Sequence, residues 1–163
     1  RIFVSRPLVP LSNKDIGYLP GNEKEKVNPY MMPFWDNLEF IKSNFQPKSK
    51  NAQKIDALIK NEKIIVTPLA FIRGRSFVNK FIIIDEAQNL TPLEIKTIIT
   101  RAGENTKIVL TGDKKQIDTP YLDEESNGLC HLINRFKGDK MYAHVNLEKG
   151  ERSMLANLAF NNL

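Results

Sequence analysis

Four consecutive apolar residues, Phe81-Ile82-Ile83-Ile84, run directly into two acids, Asp85 and Glu86. An unbroken apolar run of this length suits a strand buried on both faces, the kind found in parallel sheets covered by helices. A second run, Lys107-Ile-Val-Leu-Thr111, leads into Gly112-Asp113. Between the two lies Thr91-Pro92-Leu93-Glu94, whose Thr and Glu stand three apart as a capping box, with proline at the first helical position. That helix is expected to run to about Ala102, with Gly103 as its stop. Strand, helix and strand in this order are the unit from which parallel α/β sheets are built.

The rest of the chain fits the same alternation. Arg1–Ser5 reads as a strand, and Arg6-Pro7 must leave it extended because proline restricts its predecessor. Gly17-Tyr18-Leu19-Pro20-Gly21 is a turn cluster, and Asn22–Asn28 is charged and expected to be exposed. A helix is predicted over Pro29–Phe45, with Leu38, Ile41 and Phe45 on one face, and a second over Ala52–Asn61, with Ile55, Leu58 and Ile59 on one face. Ile64–Thr67 is a short strand stopped by Pro68, and Leu69–Phe77 a loop or broken helix. Leu129, Leu132, Ile133 and Phe136 mark a helix ahead of Gly138. Met141–Leu147 reads as a further strand, and Glu151–Asn161 as a final helix with Leu155, Leu158 and Ala159 inward. The expected fold is a single α/β domain over residues 1–163, a three-layer sandwich around a mostly parallel sheet.

Composition narrows the classes. One cysteine and two histidines leave no disulfide and no structural zinc set, and a lone thiol fits a reducing cytoplasm. No apolar stretch approaches the roughly 18–20 residues that span a bilayer. The net charge of +5 favours an anionic partner such as nucleotide or RNA. Of the basic stretches, Lys42–Lys63 reads as a solvated face. The chain opens at Arg1-Ile2-Phe3-Val4, without methionine, and reads as a piece of something longer.

The two strand exits carry the chemistry. Ligands of open α/β sheets bind at the carboxyl ends of the strands. An Asp there can hold Mg²⁺ through oxygen and water. An adjacent Glu, expected to point the other way because strand side chains alternate, can orient or deprotonate an attacking water. Asp85-Glu86 is therefore a Walker B pattern, although a buried strand that simply ends in acids would look the same. Thr111 and Gln116 can hydrogen-bond a γ-phosphate or that water, and Gly112 permits close backbone approach. A tight strand-to-turn exit is the plainer reading of this second segment.

Together Asp85-Glu86-Ala87-Gln88-Asn89 and Thr111-Gly112-Asp113-Lys114-Lys115-Gln116 resemble PhoH proteins, a family of P-loop ATPases related to superfamily 1 helicases. Ser5-Arg6-Pro7, Gly17–Gly21, Glu25-Lys26 through Asp36-Asn37-Leu38, and Ile72-Arg73-Gly74-Arg75 agree with it. Leu147–Ser153 is similar to members that carry an N-terminal PIN nuclease domain. The resemblance implies Asp85 as the Mg²⁺ ligand, Glu86 as water activator, Gln116 as γ-phosphate sensor with Asp113 shaping its turn, and Arg152 as a phosphate-sensing or finger arginine. It implies ATP and Mg²⁺ as ligands, RNA as a partner, and a homo-oligomer for the intact protein.

Three arginines are candidates for nucleic acid. Arg6 resembles a position that faces the strand in helicases. Arg73 and Arg75 would bind RNA phosphates or a neighbouring subunit, or instead cap a helix or pair with acids such as Glu62. Tyr30, Phe34 and Trp35 could stack on bases, but aromatics at adjacent helical positions are more often packed, and Phe34 and Trp35 read as core. His131, His144 and Cys130 read as structural. The Walker A pattern Gly-x-x-x-x-Gly-Lys-Ser/Thr does not occur in these residues, and Gly21-Asn-Glu-Lys24 is not one. The expectation is a fragment that lacks the phosphate-cradling half of its site and hydrolyses ATP negligibly by itself. The alternative is a binding or oligomerisation module that kept the fold and lost catalysis. In either case the family's sheet order would leave a strand at 141–147 without its neighbour, to close against 107–111, stay loose or pair with another molecule.

Overall fold

In the computed structural model, which describes residues 1–9, 23–72, 74–148, 153–155 and 157–158, four strands lie side by side and all run parallel. They are β1 (Ile2–Ser5), β2 (Ile64–Val66), β3 (Phe81–Ile84) and β4 (Lys107–Leu110), in the order β2-β1-β3-β4. Four helices accompany them: α1 (Glu23–Ser43), α2 (Lys50–Lys60), α3 (Pro92–Ile99) and α4 (Gly128–Phe136). This is an open α/β sheet of the P-loop NTPase-like kind. β1, β3 and β4 are direct neighbours, with Ser5 opposite Ile84 and Ile84 opposite Leu110. None of the helices in the described residues is long and apolar enough to cross a membrane.

Side chains alternate across a strand, and here the two faces differ. Phe3, Ile82 and Ile84 join Leu69, Ile72, Phe77, Ile95, Ile98 and Leu132 in one buried cluster. Phe3 meets Phe77 edge-on, with ring centroids 5.2 Å apart. On the other face Ile2, Val4 and Ile83 are only partly covered, and Phe81 is 37% exposed. The apolar run at 81–84 is therefore buried on one face rather than two. Apolar residues on both sides permit double cover, but α3 and α4 send Ile95, Ile98 and Leu132 to the same face.

The helix starts reveal their causes. Thr91 Oγ1 accepts the Glu94 N–H at 3.2 Å, and Glu94 Oε2 accepts the Thr91 N–H at 3.0 Å, so the capping box is formed. α3 ends at Ile99, three residues earlier than expected. Gly103 serves another purpose: its N–H donates to Phe77 O at 2.6 Å, and a Cβ there would lie 2.9 Å from that oxygen. Asn127 caps α4 by accepting the Cys130 N–H at 2.9 Å. Just before it, the exposed Asp123 is held below the ordinary carboxylate range, first by the Ser126 N–H, then by the Ser126 hydroxyl and the Glu125 N–H.

α1 begins at Glu23, six residues before the predicted start, and holds Pro29 and Pro33 within it. It ends at Ser43, two residues before the predicted Phe45, and its apolar stripe is Met31, Phe34, Leu38 and Ile41, but cover runs out along it and at the turn beyond. Met31 and Phe34 are buried, while Ile41 is 49% and Phe45 36% exposed. Trp35, read as core, is only partly buried.

Met141–Leu147 is not a strand. Tyr142 packs edge-on against Phe136 at 6.1 Å, and burial pushes its hydroxyl pKa up. Met141, Val145 and Leu147 are 98%, 78% and 86% exposed. A strand exists only through a partner for its N–H and C=O groups, and this segment does not pair with the open edge of β4. Leu155 and Leu158, expected inward, lie in helical turns but are 76% and 62% exposed. The remainder of the predicted 151–161 helix, Ala159 included, and the Gly17–Gly21 turn fall outside the described residues.

Candidate functional site

The exits of β3 and β4 meet at the carboxyl rim of the sheet. The backbone ladder continues past the strands: Thr111 N–H donates to Ile84 O, and Ala87 N–H donates to Thr111 O, each at 2.9 Å. Thr111 Oγ1 then donates to Asp85 Oδ1 at 2.6 Å, which fixes one carboxylate oxygen beside the second strand exit. Asp85 also keeps its place relative to β1, donating its N–H to Ser5 O at 2.9 Å.

Glu86 does not continue the strand. Its backbone is left-handed, with φ 55° and ψ 37°. This conformation is uncommon for a residue with a Cβ and is concentrated at functional sites. The divergence of Asp85 and Glu86 therefore comes from this twist, and the expected strand alternation is not its cause. One Glu86 oxygen, Oε1, stands 3.4 Å from Arg6 Nη2. The other, Oε2, accepts Gln88 Nε2–H at 2.6 Å.

Gln88 is fully buried and joins the two exits. Its Nε2 also donates to Gln116 O at 2.8 Å, and its Oε1 accepts the Asp113 N–H at 3.2 Å. Gly112 must be glycine for this to fit. A Cβ there would collide with the Gln88 carboxamide and lie 3.0 Å from Leu129 Cδ2. Asn89, 4% exposed, does the same one residue on, accepting the Asp118 N–H at 2.7 Å and the Thr119 N–H at 3.1 Å through Oδ1. Sequence reasoning gave neither Gln88 nor Asn89 a role. Their signal was two amides directly behind the acids of a buried strand, where polar groups are retained only if hydrogen-bonded.

Asp113 closes the second turn. Its Oδ1 accepts the Lys115 N–H at 2.9 Å and its Oδ2 accepts Gln116 Nε2–H at 2.6 Å. Asp85, Glu86, Thr111, Gly112, Asp113 and Gln116 thus form one connected cluster, and Arg6 belongs to it through Glu86. Arg75 stands elsewhere, with its guanidinium carbon 5.6 Å and 5.4 Å from the Phe3 and Phe77 ring centroids. Arg73 and Arg152 lie outside the described residues. Ser5 Oγ is fully buried and has no hydrogen-bond partner among the described residues. Nor, among the described residues, do three His, Cys, Asp or Glu gather closely enough to hold a metal unaided.

The family model described as PhoH-like protein matches residues 1–158. The chain belongs to the PhoH family. It is 52% identical over 160 residues to Protein PhoH2 of Bacillus subtilis (strain 168), covering 98% of this chain and 35% of that protein. It is 42% identical over 134 residues to the PhoH-like protein of Synechocystis, covering 82% and 38% respectively. With Protein PhoH of Escherichia coli (strain K12) it shares 35% identity over 151 residues, 91% of this chain and 40% of that one. The chain spans little more than a third of the length of these curated PhoH relatives.

Proposed function

We propose that this chain supplies the metal-holding and water-activating part of an ATP-hydrolysing site, in a protein that couples hydrolysis to work on RNA. The observation that carries the reading is the Asp85–Thr111 hydrogen bond together with the Gln88 bridge. These connect acid, glycine and amide groups at the ends of adjacent parallel strands. A single carboxylate in an open rim suits Mg²⁺, which keeps its waters and shares phosphate oxygens rather than filling an all-protein cage. Asp85 holds it, with Thr111 fixing the carboxylate. When bound, the ion neutralises charge that develops on the phosphates.

Glu86 takes the proton of a water as that oxygen bonds to the terminal phosphorus. The bond to the bridging oxygen breaks, releasing ADP and inorganic phosphate. Gln116 reaches the terminal phosphate by leaving Asp113, and Gly112 and Asp113 hold the turn that carries it. Arg152 supplies positive charge to the same phosphate. The phosphate-cradling loop and its lysine come from a segment outside these 163 residues, so the 163-residue piece alone binds ATP poorly.

RNA as the partner is supported by the net charge of +5, with Arg6, Arg73 and Arg75 as phosphate contacts. The edge of β4, which no other strand pairs among the described residues, suits a homo-oligomer or a further strand. The decisive experiment is ATP turnover by the full-length protein with Glu86→Gln. A general base contributes on the order of 10²–10⁴-fold, so a loss of that size is expected with folding intact. Undiminished turnover, or efficient turnover by the 163-residue piece, would overturn the assignment. RNA binding that is absent even at low salt would remove the second half of it.

A further inference from the structure

We infer that Arg6 gates Glu86, and that a backbone phosphate of a polynucleotide opens the gate; the inference rests on Glu86 being the water-activating group. Arg6 directly follows β1 and reaches the neighbouring strand exit, placing Nη2 3.4 Å from Glu86 Oε1. Gln88 holds the other oxygen at 2.6 Å. Each carboxylate oxygen thereby has a partner. The Arg6 charge offsets that of the carboxylate and weakens its pull on a proton of the attacking water. In this arrangement Glu86 is poised but out of service.

Stability does not explain the pair. The two side chains are 22% and 35% exposed, and partly exposed ion pairs contribute little to folding. Arginine has a better partner available to it. Its planar fork of five donors matches two oxygens of a phosphate, and such charge-assisted pairs are among the strongest polar contacts. A phosphate arriving at the rim draws Arg6 away and leaves Glu86 free on Oε1, with Gln88 still fixing its orientation. Hydrolysis is then slow without a polymer and fast with one. The left-handed backbone of Glu86, which is held by the ladder on either side, keeps the carboxylate within reach of Arg6.

The test is steady-state ATP turnover by the full-length protein, with and without poly(U) RNA, for wild type, Arg6→Ala, Arg6→Lys and Glu86→Gln. Arg6→Ala is expected to raise basal kcat about tenfold, equivalent to about 1.4 kcal/mol, to leave the KM for ATP in place, and to abolish stimulation by poly(U). Arg6→Lys, which keeps the charge but not the fork, should respond only weakly to poly(U). An unchanged or lowered basal kcat in Arg6→Ala, with a normal melting temperature, overturns the gate. If Arg6→Ala does not fold, normal stimulation of Arg6→Lys by poly(U) overturns it instead. Equal stimulation of wild type by inorganic phosphate alone overturns the polynucleotide as opener. If Glu86→Gln retains full turnover, the failure lies in the role given to Glu86 and not in the gate.

Discussion

The carboxyl rim and the described residues between Met141 and Leu158 both mix large apolar side chains with polar ones, yet they end in opposite conditions. At the rim each polar group of Gln88 is matched, and Ile84 and Ala87 beside it are fully buried. In the later run Met141, Val145, Leu147, Met154, Leu155 and Leu158 are all more than half exposed. The difference lies in the neighbours and not in intrinsic preference. β3 is flanked by strands on both sides, whereas the later run meets no strand among the described residues.

This contrast can be broken by measurement. Ile84→Ala, a fully buried side chain at the end of β3, should lower unfolding free energy by about 2–5 kcal/mol in urea titrations. Gln88→Ala strands the Asp113 N–H and the Gln116 carbonyl, and should lower it by about 1–3 kcal/mol, with the 112–116 turn losing amide protection in hydrogen exchange. Ser5→Ala runs the other way. Removing a buried hydroxyl that has no partner is expected to be neutral or to stabilise by up to about 1 kcal/mol; a clear loss would mean that the hydroxyl is satisfied in solution. Val145→Ala and Leu155→Ala should each stay within about 0.5 kcal/mol. Should either match Ile84→Ala, the two regions do not differ as described.

Much of the scaffold was legible because local chemistry decided it. Four apolar residues before Asp85, the Thr91–Glu94 box and the stripe from Leu129 to Phe136 each specify an element without outside help. The site was legible in its members but not in its arrangement. Nothing in the identity of Glu86 announces a left-handed backbone; that conformation goes with Ala87 bonding across to Thr111, a contact set by the neighbouring strand. Arg6 could be placed at the end of β1, but its pairing with Glu86 depends on β1 and β3 being neighbours, a fact of topology. Burial failed where it depends on cover. Ile41 lies on the correct stripe of α1 but beyond what covers it, and Met141–Leu147 has strand periodicity without a strand to meet among the described residues.

The parallel order that ends at β4 also acts as a ruler. Adjacent strands lie about 4.8 Å apart, so any strand added along the free side of β4 stands about 10 Å, two spacings, from the axis of β3. The loop leaving that strand would emerge beside Thr111 and one strand removed from Asp85. Whatever it binds must therefore reach across the Thr111 exit, and the span between loop and carboxylate is set by interstrand hydrogen bonds rather than by any side chain.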